Sequence, residues 1–268
     1  MRILISGASG FIGSYFTCHA AEAGHEVVTL SRRRITNGIP AKAFTWELGQ
    51  QIPLDATKNT DCAIHLAHDF SGSEGARKTF NATLQHISQL REEGVRQQLF
   101  FSSYSAGPHA TSIYGQTKFA LEQELKKYND VVIIRPGLVI GNGGIYRRIK
   151  KWAQGMSVIP LPDGGRGKLP IISIERLWEE TLKLIENNPP QNESNLFEPD
   201  LYTLRSLVFK AASAANKAPL IIPVPSNWLI NMLKFAEILN IPLPVNSDNL
   251  AGFLANKDAM HISSLKEN

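Results

Sequence analysis

The chain has 268 residues, 43% of them hydrophobic and 19% charged, a balance that excludes a disordered or fibrous protein. A net charge of +4 and a pI near 9.0 suit an anionic ligand such as a nucleotide. The basic residues form no stripe interleaved with aromatics, which argues against nucleic acid as a partner, and no apolar run is long enough for an integral membrane segment.

Arg2 to Gly13, RILISGASGFIG, predicts a short buried parallel strand that turns at once into a helix. Glycine at position 7 permits the tight turn, at 10 it lets backbone approach a pyrophosphate, and at 13 it lets helix and strand pack closely. A dinucleotide is therefore expected against Gly7, Ser9, Gly10, Phe11, Ile12 and Gly13, its phosphates on the unpaired amides at the helix start. Met1 leaves no room for a signal peptide before this strand. Cys18 and Cys62, in a predicted helix and a predicted strand, lack metal-ligand spacing and read as buried reduced thiols. A cytoplasmic protein without a metal site is the expectation.

The first helix spans Phe11 to Ala23 and stops at Gly24. The second strand, Glu26 to Leu30, runs into Ser31, Arg32, Arg33 and Arg34. A cofactor with a free ribose 2′-hydroxyl meets an Asp or Glu at this junction. Here Ser31 takes that place and arginines follow, as suits a 2′-phosphate. NADP is expected, with NAD as the alternative; a solvated basic loop is the plainer reading. Ala43 to Leu48 forms a short third strand, with Trp46 and Glu47 near the adenine.

A fourth strand covers Asp61 to His68, with His65 packed inside and Leu66, Ala67 and His68 beside the cofactor. Gly75 to Glu93 is helical, with Phe80, Leu84, Ile87 and Leu90 as its apolar stripe and Asn81 on its length. The fifth strand, Gln97 to Phe101, ends in the hydroxyl cluster Ser102, Ser103, Tyr104 and Ser105, at the edge where open α/β sheets bind ligands. A helix over Thr117 to Lys127 then sets Tyr114 and Lys118 one turn apart on one face. An ammonium near a phenol favours the phenolate, so a lowered Tyr114 pKa is expected.

Beyond Gly141, Ile145 to Trp152 is a basic helix carrying Arg147, and Arg166 and Lys168 lie in a Gly-rich loop. These read either as contacts to nucleotide-sugar phosphates or as a solvated basic face. Helices follow over Ile174 to Glu186, Thr203 to Ala215 and Asn227 to Leu239, with a Pro189-Pro190 linker and an apolar Leu220 to Val224 run between them. Trp228, Leu229, Met232, Leu233 and Phe235 read as packing onto a small lobe, with an oligomer face or a membrane-surface patch as alternatives. No structure is expected after Ala259.

Taken together, GASGFIG (Gly7 to Gly13), DCAIHLA (Asp61 to Ala67), Asn81-Ala82-Thr83, FFSS (Phe100 to Ser103), YGQTK (Tyr114 to Lys118), IIRPGLVIG (Ile133 to Gly141) and GGRGKLPIISIERL (Gly164 to Leu177) resemble the extended short-chain dehydrogenases/reductases of the NAD(P)-dependent epimerase/dehydratase group. The resemblance covers roughly residues 1 to 185. It implies an α/β, Rossmann-type doubly wound parallel sheet with a small C-terminal substrate-binding lobe. Residues 1–140 would be the dinucleotide-binding core, and 141–268 would complete that core and form the lobe.

The resemblance also implies hydride transfer at a carbinol or ketone carbon, on a small-molecule substrate expected to be a nucleotide-activated sugar. Ser103, Tyr114 and Lys118 would be the catalytic triad and Asn81 a support for proton relay. Lys118 would also hold the nicotinamide ribose, and Pro136 and Gly137 would line the nicotinamide pocket. The serine register stays open among Ser102, Ser103 and Ser105, because the loop to Tyr114 is short. Asp and Glu are absent from Ser102 to Ile113, which disfavours a 4,6-dehydratase and leaves epimerase or reductase. The alternative is a non-catalytic NADP(H)-sensing regulator or scaffold; relatives of that kind usually lack the Tyr and Lys present here. The oligomeric state stays open, with a homodimer as one option, two-fold dimers being the commonest assembly among soluble oligomers.

Overall fold

Strand β1 (Arg2–Ser6) buries Ile3, Leu4 and Ile5 completely, as a strand covered on both faces requires. The computed structural model describes residues 1–33, 41–187, 192–200, 202–239, 241, 245–255 and 261–265. After β1 come α1 (Phe11–Glu22), β2 (Glu26–Ser31), β3 (Ala41–Thr45), the single turn α2 (Leu54–Thr57), β4 (Cys62–His65) and α3 (Gly72–Glu92). Then follow β5 (Gln97–Phe101), α4 (Ile113–Leu125), β6 (Val131–Pro136), β7 (Leu138–Ile140), α5 (Gly144–Gly155), β8 (Val158–Pro162), β9 (Lys168–Leu169) and β10 (Ile171–Ser173). The chain continues through α6 (Ile174–Asn187), β11 (Glu193–Leu196), β12 (Tyr202–Thr203), α7 (Leu204–Ser213), β13 (Leu220–Val224), α8 (Ser226–Ile238) and α9 (Ser247–Ala255).

Seven parallel strands form the main sheet in the order β11-β6-β5-β4-β1-β2-β3. Side chains alternate across it. Ile3, Ile5, Leu99, Phe101, Val132 and Ile134 pack against Phe16 and Ala20 of α1 and Leu177 and Trp178 of α6. Leu4, Val28 and Ala63 meet Leu90 of α3 on the other face, while Phe100 and Ile133 meet Ile87 and Leu121 there. The expected doubly wound α/β fold is present, and its order reverses between β1 and β4, where such sheets open a ligand crevice. Its last strand, β11, comes from the second half of the chain.

Around α5 and α7, the parallel pair β8–β13 builds a smaller core from Ile149, Ala153, Ile159, Leu161, Val208, Ala211 and Ile221. Leu229 and Leu233 of α8 pack with Leu250 of α9, whereas Trp228 and Phe235 on the same helix stay 60% and 63% exposed. The packing expected of α8 thus holds for only part of its apolar surface.

Several boundaries differ from the sequence expectation. β3 begins two residues earlier and ends before Trp46, whose ring turns into the core against His86 (4.8 Å) while its Nε1–H donates to the Gln50 carbonyl (3.1 Å). Trp46 is therefore a packing residue and not an adenine platform. β4 stops at His65, and α3 starts at Gly72. Cys62 is buried as expected, but Cys18 is only half-buried and its thiol donates to Glu22 (3.3 Å). The segment after Ala259 is not structureless either: Ser264 N–H donates to the Asn195 carbonyl (2.8 Å), and Asn195 Nδ2 donates to that of Ile262 (2.9 Å). β11 is the open edge of the main sheet, and its unpaired groups supply these partners. Arg34 and the Pro189-Pro190 linker lie outside the described residues.

Candidate active site

The glycine turn after β1 is built as its spacing implies. Gly7 adopts φ +71°, and a Cβ there would lie 2.7 Å from the Ala67 nitrogen and 2.8 Å from the Leu66 carbonyl carbon. At Gly13 a Cβ would run into the Gly7 carbonyl oxygen and lie 2.8 Å from Ala8 Cα, so only glycine lets α1 start this close to β1. Gly10 N–H donates to the Gly7 carbonyl (2.9 Å), and no side chain caps α1. Its first-turn amides are available to an anion. A cavity of about 600 Å³ opens there, lined by Ser9, Gly10, Phe11 and Ser14 on one side and Asn142, Gly143, Arg147, Arg148 and Lys151 on the other. Gly141, Gly143 and Gly144 lie against the Phe11 ring, which brings α5 over the turn. A larger depression of about 830 Å³, around Arg91, Glu92 and Asp130, sits at the opposite edge of the sheet, away from these groups.

Ser103, Tyr114 and Lys118 converge beyond the C-terminal end of β5. α4 starts four residues earlier than its periodicity indicated, because Ser112 Oγ accepts the Gly115 N–H (3.0 Å) and Asp248 of α9 accepts the Ile113 N–H (2.7 Å). Tyr114 therefore sits in the first helical turn, one turn before Lys118. Ser103 hydrogen-bonds the Tyr114 side chain and shares a hydrogen bond with Ser105 (2.9 Å between hydroxyl oxygens). Ser102 points elsewhere, its hydroxyl donating to Glu122. Of the three candidate serines, the one facing the tyrosine is Ser103.

The electrostatics correct one expectation. Burial pushes the Tyr114 phenol up to about 12, and the Ser103 hydrogen bond offsets this only in part. Lys118 Nζ donates to the Phe101 carbonyl (2.7 Å), lies 5.8 Å from the Tyr114 ring centre, and is itself pushed down to about 7 by burial, with Glu122 working the other way. Desolvating both groups outweighs their attraction, so the phenol is not lowered in the ligand-free protein. From pH 7 upward an unfolded chain holds the lysine proton that the native state releases, so Lys118 by itself adds stability as pH rises. Above about 8.5 the raised Cys62 thiol works the other way, because the unfolded chain then loses a proton that the native state keeps. Chemical denaturation from pH 7 to about 8.5 is expected to show the Lys118 rise and Lys118→Met to flatten it; an equal rise in the variant would assign it to another group.

Behind the triad lies a buried ionic network that the sequence reading did not anticipate. Arg135 of β6 donates to both Glu122 carboxylate oxygens (2.8 and 2.7 Å) and to Glu193 (2.7 Å) and Asn195 (3.2 Å) of β11. Burial works against the guanidinium charge, but Glu122 and Glu193 more than offset it and raise the Arg135 pKa. Helical spacing was the available signal for Glu122, four residues after Lys118; Asp248 had none, being distant in sequence.

The remaining candidates divide. Pro136 and Gly137 are buried, and a Cβ on Gly137 would lie 2.7 Å from the Pro170 carbonyl oxygen. Ser31 ends β2 with its hydroxyl donating to the Arg33 carbonyl (2.6 Å), while Arg32 and Arg33 are exposed. Glu47 is held below the usual carboxylate range first by the Lys78 hydrogen bond (2.7 Å), with Arg32 contributing. Leu66 and Ala67 flank Gly7, and Arg147 joins the cavity at the glycine turn. Asn81 is exposed on α3, and no hydrogen bond among the described residues ties it to Lys118. Arg166 is exposed in the smaller lobe, off that cavity. His65 is a packed strand residue, bonded to Gln98 (2.8 Å) and pushed down to about 4 by burial.

Comparison with known proteins gives the family and the fold. A segment of 113 residues is 35% identical to an uncharacterized protein of Schizosaccharomyces pombe, covering 40% of this chain and 38% of that one. A segment of 107 residues is 26% identical to a dTDP-6-deoxy-L-talose 4-dehydrogenase (NAD(+)) of Aggregatibacter actinomycetemcomitans, covering 36% of this chain and 39% of that protein. These matches thus span about two fifths of the relatives' length. The UDP-glucose 4-epimerase of Thermotoga maritima, solved with UDP-glucose, has the same fold at a TM-score of 0.69 and 17% identity, over 84% of this chain and 86% of that one. The model of the NAD dependent epimerase/dehydratase family matches residues 3–187, and the chain belongs to that family.

Proposed function

We propose that this chain is an NAD(P)-dependent epimerase or reductase, acting by hydride transfer at a carbinol or ketone carbon of a nucleotide-activated sugar. The observation that carries this reading is the convergence of Ser103, Tyr114 and Lys118 at the strand ends beside the glycine turn. A dinucleotide fits that turn, because the positions where a Cβ would collide are glycines and the first amides of α1 lack a side-chain cap. When bound, its nicotinamide supplies or accepts the hydride. Tyr114, protonated at neutral pH, gives its proton to the substrate oxygen, Ser103 holds that oxygen, and Lys118 in its protonated form, about half of it near pH 7, stabilises the phenolate left behind. Arg147, beside the glycine turn, and Arg166 are the candidates for ligand phosphates. Asn81 has no part in this scheme. A non-catalytic NADP(H) sensor is the weaker reading, since it gives the pair of half-buried Tyr114 and buried Lys118 no work.

Cytoplasmic residence belongs to the same proposal, since Cys18 and Cys62 are free thiols, as a reducing compartment keeps them; a homodimer is proposed only as the commonest assembly among soluble oligomers. Among the described residues no helix is long and apolar enough to cross a membrane.

NADP is favoured over NAD by the exposed Arg32 and Arg33 at the end of β2, although Glu47 and Asp69 lie close enough to Arg32 to be affected by its charge. Fluorescence titration of the purified protein tests both the cofactor and its phosphate. NADPH is expected to bind more tightly than NADH, and Arg32→Ala to lose about tenfold in NADPH affinity with NADH unchanged, the loss of one charge-assisted contact of about 1.5 kcal/mol. Equal or tighter NADH binding by the wild type would assign NAD instead, and binding of neither would remove the reading.

A further inference from the structure

His68 stands just past the end of β4, beyond Leu66 and Ala67, whose backbone flanks Gly7. Its ring lies edge-on to Tyr114 (centres 4.8 Å apart, 77°) and against Phe70 (4.5 Å), and Phe70 in turn stacks over Tyr114 (5.8 Å, 19°). Nδ1 of His68 is shielded from solvent and has no hydrogen-bond partner among the described residues. His65 and His86, by contrast, place a ring nitrogen 2.8 Å from Gln98 Oε1 and 2.9 Å from the Gln50 carbonyl. Buried polar atoms without partners are few in native proteins, and one packed against the proposed acid marks a place where a ligand completes the bond. Burial, helped by the Lys118 charge, pushes His68 down to about 3, so its imidazole is neutral and hydrogen-bonds without bringing a charge.

We infer that His68 is a positioning residue whose Nδ1 hydrogen-bonds a hydroxyl of the ribose that joins the cofactor diphosphate to the nicotinamide. This rests on the dinucleotide reading above. Ala67 abuts the phosphate-binding turn and Tyr114 marks the reacting end, so the group bridging them passes His68. A neutral imidazole suits a hydroxyl better than it suits a phosphate.

Calorimetric titration with ADP-ribose, which carries that ribose, and with ADP, which lacks it, separates the outcomes. His68→Phe keeps a packed ring and is expected to weaken ADP-ribose about three- to tenfold while leaving ADP unchanged, and His68→Asn, whose amide reaches the Nδ1 position, to recover most of the loss. In the wild type, the His68 Nδ1 nitrogen resonance should move with ADP-ribose and not with ADP, a readout that survives if His68→Phe folds poorly. No loss in His68→Phe, or equal loss for both ligands, overturns the assignment of His68. Failure of the wild type to bind ADP-ribose, ADP and NADPH alike overturns the dinucleotide reading itself.

Discussion

Tyr114→Phe should reduce turnover on UDP- or dTDP-sugars by about two to four orders of magnitude, the usual contribution of a positioned acid or base. NAD(P)H affinity should stay within about twofold, since the ring and its contacts with His68 and Phe70 are kept. A phenol pushed up to about 12 is fully protonated near neutral pH and suited to give a proton to a substrate oxygen. Ser103 is the hydroxyl bonded to it and is far too weak an acid to replace it. Ser103→Ala should therefore cost less, about tenfold, the scale of a lost hydrogen bond in the transition state. Consumption of NADPH or formation of the epimeric sugar, followed in both variants, decides the matter. A Tyr114→Phe enzyme keeping more than about a tenth of wild-type turnover would take the acid role from the tyrosine.

Glu122→Leu should lower stability by about 3 kcal/mol, near the low end of the cost of breaking a buried ion pair, because Arg135 loses its buried partner and keeps the half-exposed Glu193. Arg135 is 5% exposed at its side chain and makes two of its hydrogen bonds to Glu122, itself 1% exposed. Without that carboxylate the guanidinium keeps only Glu193 and Asn195 at the open edge of the sheet, and Ser102 loses its acceptor. Thermal unfolding should fall by roughly 10 °C in a chain of this size. Glu122→Leu combined with Arg135→Met removes both charges and should recover most of the loss, as apolar replacements of buried pairs do. If the double variant is as unstable as the single one, the pair contributes packing shape and not charge. The same network separates the serines, since it engages Ser102 and leaves Ser103 facing the tyrosine.

Much of this protein was legible in its sequence because local physics dictated it. An apolar triplet followed by glycines at 7, 10 and 13 leaves few options besides a buried parallel strand turning into a helix, and strands apolar on both faces require helices on both sides. The spacing of Tyr114 and Lys118 likewise forced the two onto one face. What the sequence alone left open depends on groups distant along the chain. Tyr114 enters the first turn of α4 because Asp248 of α9 holds the Ile113 amide, and the two are 135 residues apart. The serine was chosen by Glu122 and Arg135, which occupy Ser102 through a pairing of α4 with β6. The direction of the Tyr114 shift is not legible in sequence, because a neighbouring cation is visible there while burial is not, and here burial is the larger effect. The position of His68 after the fourth strand points towards the cofactor, but only the folded structure reveals that its Nδ1 has no partner among the described residues. Residue order determined the sheet, the glycine turn and the Tyr–Lys pair; desolvation and long-range caps, which exist only once the chain has folded, decided how those groups are charged and aimed.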